Sequence, residues 1–213
     1  MGNSKDKGQR TKDDFQLLVA TGNAGKVREL KELLTDFPVV LRDLSEFPNV
    51  FEVEETGATF AENAILKASG YSAQTGFWTL ADDSGLEVEA LGGAPGVFSA
   101  RYAGENASDA DKIAKLLGEL GDTDNLRARF VCAMAISDET GEIKFVSEGV
   151  CDGKITVNPR GRNGFGYDPV FIPDGFDETF GELSGEVKQK ISHRGRAMEK
   201  IIQYLRRFYD TCG

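Results

Sequence analysis

The stretch Ala128–Val150, ARFVCAMAIS DETG EIKFVSEGV, decides the fold. Two apolar runs, Ala128–Ser137 and Ile143–Val150, flank the turn Asp138–Gly141, which predicts a long antiparallel hairpin. Upstream the pattern changes. Phe15–Ala20 is a buried-strand run that ends in Thr21-Gly22-Asn23. Lys26–Leu34 follows as a helix with Val27, Leu30, Leu33 and Leu34 on one face. Val39–Leu41 is a second strand, and Thr59–Gln74 a helix opened by a Thr59/Glu62 capping box. Phe77–Ala81 is a strand that delivers Asp82 and Asp83 at its end, and Ser108–Leu120 is an amphipathic helix. Past the hairpin come a short strand at Pro169–Ile172 and a closing helix over Ile191–Tyr209, with Met198, Ile201, Ile202, Leu205 and Phe208 turned inward. Strands alternate with helices first and antiparallel strands follow, so the expectation is an α/β fold on a mixed sheet.

A chain of 213 residues is long enough to bury a proper core as one domain, expected over 15–213, behind a disordered polar extension at 1–14. The net charge of −10 excludes a general nucleic-acid binder, which needs a basic face, but permits a single nucleotide carried with a divalent cation. No apolar run reaches the roughly 18 residues of a spanning helix, so no membrane partner is expected. Cys132, Cys151 and Cys212 are odd in number and too scattered for a metal cluster, which suits a reduced, cytoplasmic setting.

Three segments offer chemistry. Thr21-Gly22-Asn23-Ala24-Gly25-Lys26 joins a strand to a helix, where backbone N–H groups and the positive helix end favour a phosphate. It lacks the Walker spacing, and such turns also serve as plain connections. Asp82-Asp83-Ser84-Gly85 follows an apolar strand with hard oxygen ligands of the kind Mg²⁺ takes alongside substrate phosphates, and Glu54-Glu55 is a second acidic turn. Gly164-Phe165-Gly166-Tyr167-Asp168 presents an aromatic ring on a backbone freed by two glycines. Ser192-His193-Arg194, with the only histidine in the chain, supplies donors for a polar edge. A ring plus donors suits a flat heterocycle; taken singly, Phe165 is equally a core residue and His193 a helix cap.

These segments, together with Thr59–Ala64, Gly92–Gly96 and Ser99–Gly104, resemble in order the inosine triphosphate pyrophosphatases, also called XTP/dITP diphosphatases, from about Phe15 to Tyr209. The resemblance implies an elongated mixed sheet with flanking helices, two lobes around a central nucleotide cleft, and a homodimer. It further implies Mg²⁺-dependent cleavage of dITP, ITP or XTP to the monophosphate and pyrophosphate. By the same resemblance, Thr21–Lys26 hold the triphosphate, Glu54 and Asp83 hold Mg²⁺, and Asp83 accepts the proton of the attacking water. Ser84 touches substrate, Phe165–Asp168 line the base pocket, Lys188 contacts the nucleotide, and His193 and Arg194 read the purine edge. Two other functions fit parts of the pattern: a pyrophosphatase for modified pyrimidine triphosphates, and a nucleotide-binding module without hydrolysis. Phe165 with Ser-His-Arg favours a purine, and Lys26, Glu54 and Asp83 favour hydrolysis.

Overall fold

The computed structural model describes residues 15–212, with side chains to 208; the expected extension at 1–14 and the Cys212 thiol lie outside the described residues. Six strands form one sheet in the order β2-β1-β3-β4-β5-β6. Strands β1 (Gln16–Val19), β2 (Val40–Asp43) and β3 (Trp78–Val88) run parallel. Strands β4 (Arg127–Ser137), β5 (Ile143–Ile155) and β6 (Phe171–Pro173) continue antiparallel, β4 and β5 being the expected hairpin. This is the mixed α/β sheet the alternation predicts.

Each sheet face is closed by the helices whose apolar stripes fit it. Helix α1 (Ala24–Leu33) and the last helix, α5 (His193–Cys212), bury Leu30, Met198, Ile201 and Leu205 against Leu17, Val19 and Met134. Helix α2 (Phe60–Thr75), with its Thr59/Glu62 capping box formed, buries Ala64, Ala68 and Tyr71 against Leu18, Ala81 and Val131 on the opposite face. A separate core under helix α3 (Asp109–Leu120) gathers Leu86, Leu116, Phe130 and Phe171 into a second lobe.

Two elements depart from the sequence expectation where the site lies. Strand β3 does not stop at Ala81 but runs through Asp82-Asp83-Ser84-Gly85 to Val88, paired with β4 along its whole second half. The closing helix starts at His193 rather than Ile191, and a further short helix, α4 (Gly185–Ile191), precedes it and ends at Ser192, whose backbone is extended (ψ 156°). The Ser192 hydroxyl then accepts from the Gly195 amide, starting α5 at His193.

Gly149 of β5 lets that start dock, since a methyl there would run into the His193 carbonyl and the Ala197 amide. Gly149→Ala should therefore lower stability by about 1–3 kcal/mol, the usual cost of overpacking. Thermal unfolding checks this, and an unchanged Tm would contradict the close approach.

Candidate active site

The ladder between β1 and β3 ends at Val19 opposite Leu80, so β3 projects beyond its parallel neighbour with an open edge at Asp82–Ser84. The chain leaving β1 turns there into α1, which makes a crevice at the carboxyl ends of parallel strands, the usual ligand position in α/β sheets. Side chains alternate along a strand, so Asp82 and Ser84 face the α1/α5 layer and Asp83 faces α2. The two aspartates therefore sit in different environments.

On the first face Asp82 is fully buried, with Lys26 Nζ at 3.1 Å and Arg194 at 3.4 Å. Burial pushes the Asp82 carboxyl up, but the charges of Lys26, Arg194 and Lys67 outweigh it and hold the group well below the usual carboxylate range. Lys26 stands in the first turn of α1, where the helix dipole disfavours a cation. Asp82 offsets that cost. Asn23 caps the helix by accepting from the Lys26 amide at 3.1 Å, leaving the amides of Ala24 and Gly25 at the helix start. Arg194 divides its guanidinium between Glu29 (2.5 Å) and the Ser84 hydroxyl (2.9 Å).

On the second face Asp83 accepts from Asn63 Nδ2 at 3.0 Å and lies 3.7 Å from Lys67, whose ammonium also meets Glu55 at 3.0 Å. Burial pushes the Asp83 carboxyl above its ordinary 3.8; Lys67 and Lys26 only partly oppose it, and Glu55 adds to it. A carboxylate tuned upward beside a cation is the usual condition of a general base. Glu54 is exposed, and it is Glu55 that shares Lys67 with Asp83. The pair already holds one cation between hard oxygen donors, so these residues fit a divalent metal that completes its shell with substrate phosphates. Asn63 and Lys67 escaped the sequence reading. Their signal was available, since they stand four residues apart in the buried stripe Phe60, Asn63, Lys67, Tyr71 of α2.

Beside the open edge lies a cavity of about 370 Å³, lined by Asn23–Lys26, Ser84, Phe165–Asp168, Lys188, His193 and Arg194. The structure thus brings together most of the expected substrate contacts; Thr21 and Gly22 instead border a neighbouring hollow with Lys31 and Asp43. Phe165 is half-buried, with the Lys188 ammonium 5.0 Å and the Arg194 guanidinium 5.7 Å from its ring centre. Gly164 and Gly166 take the left-handed backbone (φ 75° and 61°) that the sequence suggested. Asp168 accepts from the Phe165 amide at 2.8 Å and from Lys188 at 2.6 Å, and the Tyr167 hydroxyl donates to the Ser99 carbonyl at 3.0 Å. His193 stacks on Phe130, centroids 4.7 Å apart. Its Nδ1 and the Arg194 Nε are buried and have no hydrogen-bond partner among the described residues. A roomier hollow of about 460 Å³ lies between Phe60 and Phe98, but its Glu87 and Arg129 neutralise each other at 2.7 Å, so volume alone does not mark the site.

An open strand edge, cations at a helix start, and a polar cavity with unpaired buried nitrogens define a nucleotide-handling α/β enzyme. The chain belongs to the Ham1 family, whose family model matches residues 17–204. It is 50% identical over 199 residues to a dITP/XTP pyrophosphatase of Prochlorococcus marinus, covering 93% of this chain and 98% of that protein. It is 48% identical over 193 residues to a dITP/XTP pyrophosphatase of Bacillus cereus, with 89% and 94% covered. The solved structure of a HAM1 protein from Coxiella burnetii superposes with a TM-score of 0.83 at 44% identity, covering 91% of this chain and 99% of that one.

Burial, then the charges of Arg194 and Lys188, hold the His193 imidazole well below its ordinary 6.5, so it is neutral at neutral pH. As the sole histidine it reports cleanly. Its ring ¹⁵N signals should stay those of a neutral imidazole between about pH 8 and 6. A depressed pKa also means that the unfolded chain gains the proton first, so stability falls as pH drops through the ordinary value. A titration midpoint near 6.5 in the folded protein would contradict the burial argument.

Proposed function

We propose that this chain hydrolyses noncanonical purine nucleoside triphosphates (dITP, ITP and XTP) to the monophosphate and pyrophosphate, with Mg²⁺ as cofactor. The observation that carries the reading is the pair of orphaned nitrogens, His193 Nδ1 and Arg194 Nε, on residues lining a cavity beside the Phe165 ring. Buried polar groups are left without partners at a cost of about 1–3 kcal/mol each, so such a pair marks a place for a ligand's acceptor. Arg194 Nε can only donate, and a neutral His193 donates when Nδ1 carries its proton. A 6-oxo purine presents an acceptor to both. The 6-amino group of adenine opposes donor to donor, which disfavours ATP by a comparable amount. Phe165 offers its face to the ring.

From the base the substrate runs across the open edge of β3 toward the amides of Ala24 and Gly25, the Lys26 ammonium and, on the far face, Lys67. Asp83 orients the attacking water and takes its proton. Asn63 fixes the Asp83 carboxylate in position. Asp83 and the Glu54–Glu55 turn would hold Mg²⁺, which when bound neutralises phosphate charge and acidifies water. Lys188, fixed by Glu29 and Asp168, lies over the ring of Phe165. Family resemblance supports a homodimer. Cys132 and Cys151 are free and buried, which is compatible with a cytoplasmic setting.

Asp83→Asn should lower kcat on dITP on the order of 10²-fold or more, the scale of lost acid–base catalysis. Its Tm should not fall, because the change removes a charge that is buried at a cost. Near-normal turnover would sink the assignment. Product analysis tests the reaction itself: wild-type enzyme with Mg²⁺ should release dIMP and pyrophosphate, whereas stepwise dIDP and orthophosphate would reject α–β cleavage.

A further inference from the structure

Helix α3 contributes a carboxylate, Asp109, to the lining of the nucleotide cavity. A carboxylate facing a polyanion's site is unfavourable unless it does something else there. The helix start does not need it, because Ser108 and Asp111 already form the capping box. Asp109 instead reaches out of the helix and accepts from the Gly166 amide at 2.6 Å. Its other oxygen meets Lys112 Nζ, one turn along, at 2.7 Å. The loop bearing Phe165 is thus held at its base by Asp168 and at its tip by Asp109, from helix α3 of the same lobe. Lys112 lines the same cavity, its side chain 14% exposed.

We propose that Asp109 is a positioning residue that sets the Gly164–Asp168 loop, and so the Phe165 ring, from the first turn of α3, with Lys112 as the counter-ion that keeps its charge from repelling the triphosphate. The inference rests on the nucleotide reading of the cavity. It explains why an acid is tolerated in the lining of an anion's cavity, and it makes helix α3 part of base placement.

Asp109→Ala, Asp109→Asn, Lys112→Ala and the double variant Asp109→Asn/Lys112→Ala separate the parts. Loss of the tie in Asp109→Ala should raise KM for dITP about tenfold with little change in kcat, the lower end of what a lost hydrogen bond to a charged group costs. Asn keeps the acceptor, so Asp109→Asn should bring KM back toward wild type. Lys112→Ala leaves the carboxylate uncompensated and should raise KM in a way that fades with salt, as screening over about 10 Å at 0.1 M requires. The double variant should recover. Amide hydrogen exchange at Phe165–Tyr167 in the ligand-free protein gives a readout independent of activity: faster in Asp109→Ala, unchanged in Asp109→Asn. Unchanged exchange and KM in Asp109→Ala would overturn the proposal, as would a double variant no better than Lys112→Ala. If wild-type enzyme fails to hydrolyse dITP, the functional reading falls while the exchange experiment still decides the tie.

Discussion

The whole site depends on one constraint, the two-residue alternation of a strand applied to adjacent aspartates in the interior of β3. Asp82 and Asp83 are neighbours in sequence, yet the pleat sends one to the α1/α5 face and the other to the α2 face. Each buried carboxylate must find cations, because an unpaired buried charge costs several kcal/mol. Asp82 draws Lys26 and Arg194 together, which ties the start of α1 to the start of α5. Asp83 meets a single lysine that it shares with Glu55, and its carboxyl lies above the ordinary value. One β-strand thus builds two different electrostatic environments from the same residue type.

The same arrangement fixes four cations in the crevice of an acidic chain. Lys26, Lys67, Lys188 and Arg194 converge on the crevice, and carboxylates pair with each: Asp82, Asp83 with Glu55, Glu29 with Asp168, and Glu29 with Asp82. These pairs fix the cations in place before substrate arrives. Preorganised charge of this sort needs no rearrangement at the moment of reaction, which is where electrostatic catalysis gains most. The acidity of the chain therefore extends into the cleft, where Asp82, Asp83, Glu55, Glu29 and Asp168 outnumber those four cations by one.

Much of this was legible in the sequence, and the reasons for the rest are local. The β4–β5 hairpin, the α2 capping box and the α5 stripe follow from periodicity and short-range hydrogen bonding, which sequence encodes directly. Strand β3 was cut short because Asp-Asp-Ser-Gly has turn composition; only cations from α1, α2 and α5 make those acids acceptable inside a sheet. Helix α4 is not legible because its seven residues carry only Val187 and Ile191 as large apolar positions, too few to show a period. Most of the motif residues did converge on one cavity, but motif spacing could not say which face of β3 each aspartate takes. Nor could it say that Lys67 and Asn63, spaced four apart in an apolar stripe, belong with them.

The division of labour across β3 is tested most directly by a crystal structure of the protein with Mn²⁺ in place of Mg²⁺ and a non-hydrolysable dITP analogue. Anomalous scattering locates the metal without ambiguity of identity. It should lie on the α2 face, bound by Asp83 and the analogue's phosphates, with Asp82 still paired to Lys26 and Arg194 and the base against His193. A metal bound by Asp82, or a base seated away from His193 and Phe165, would contradict the account.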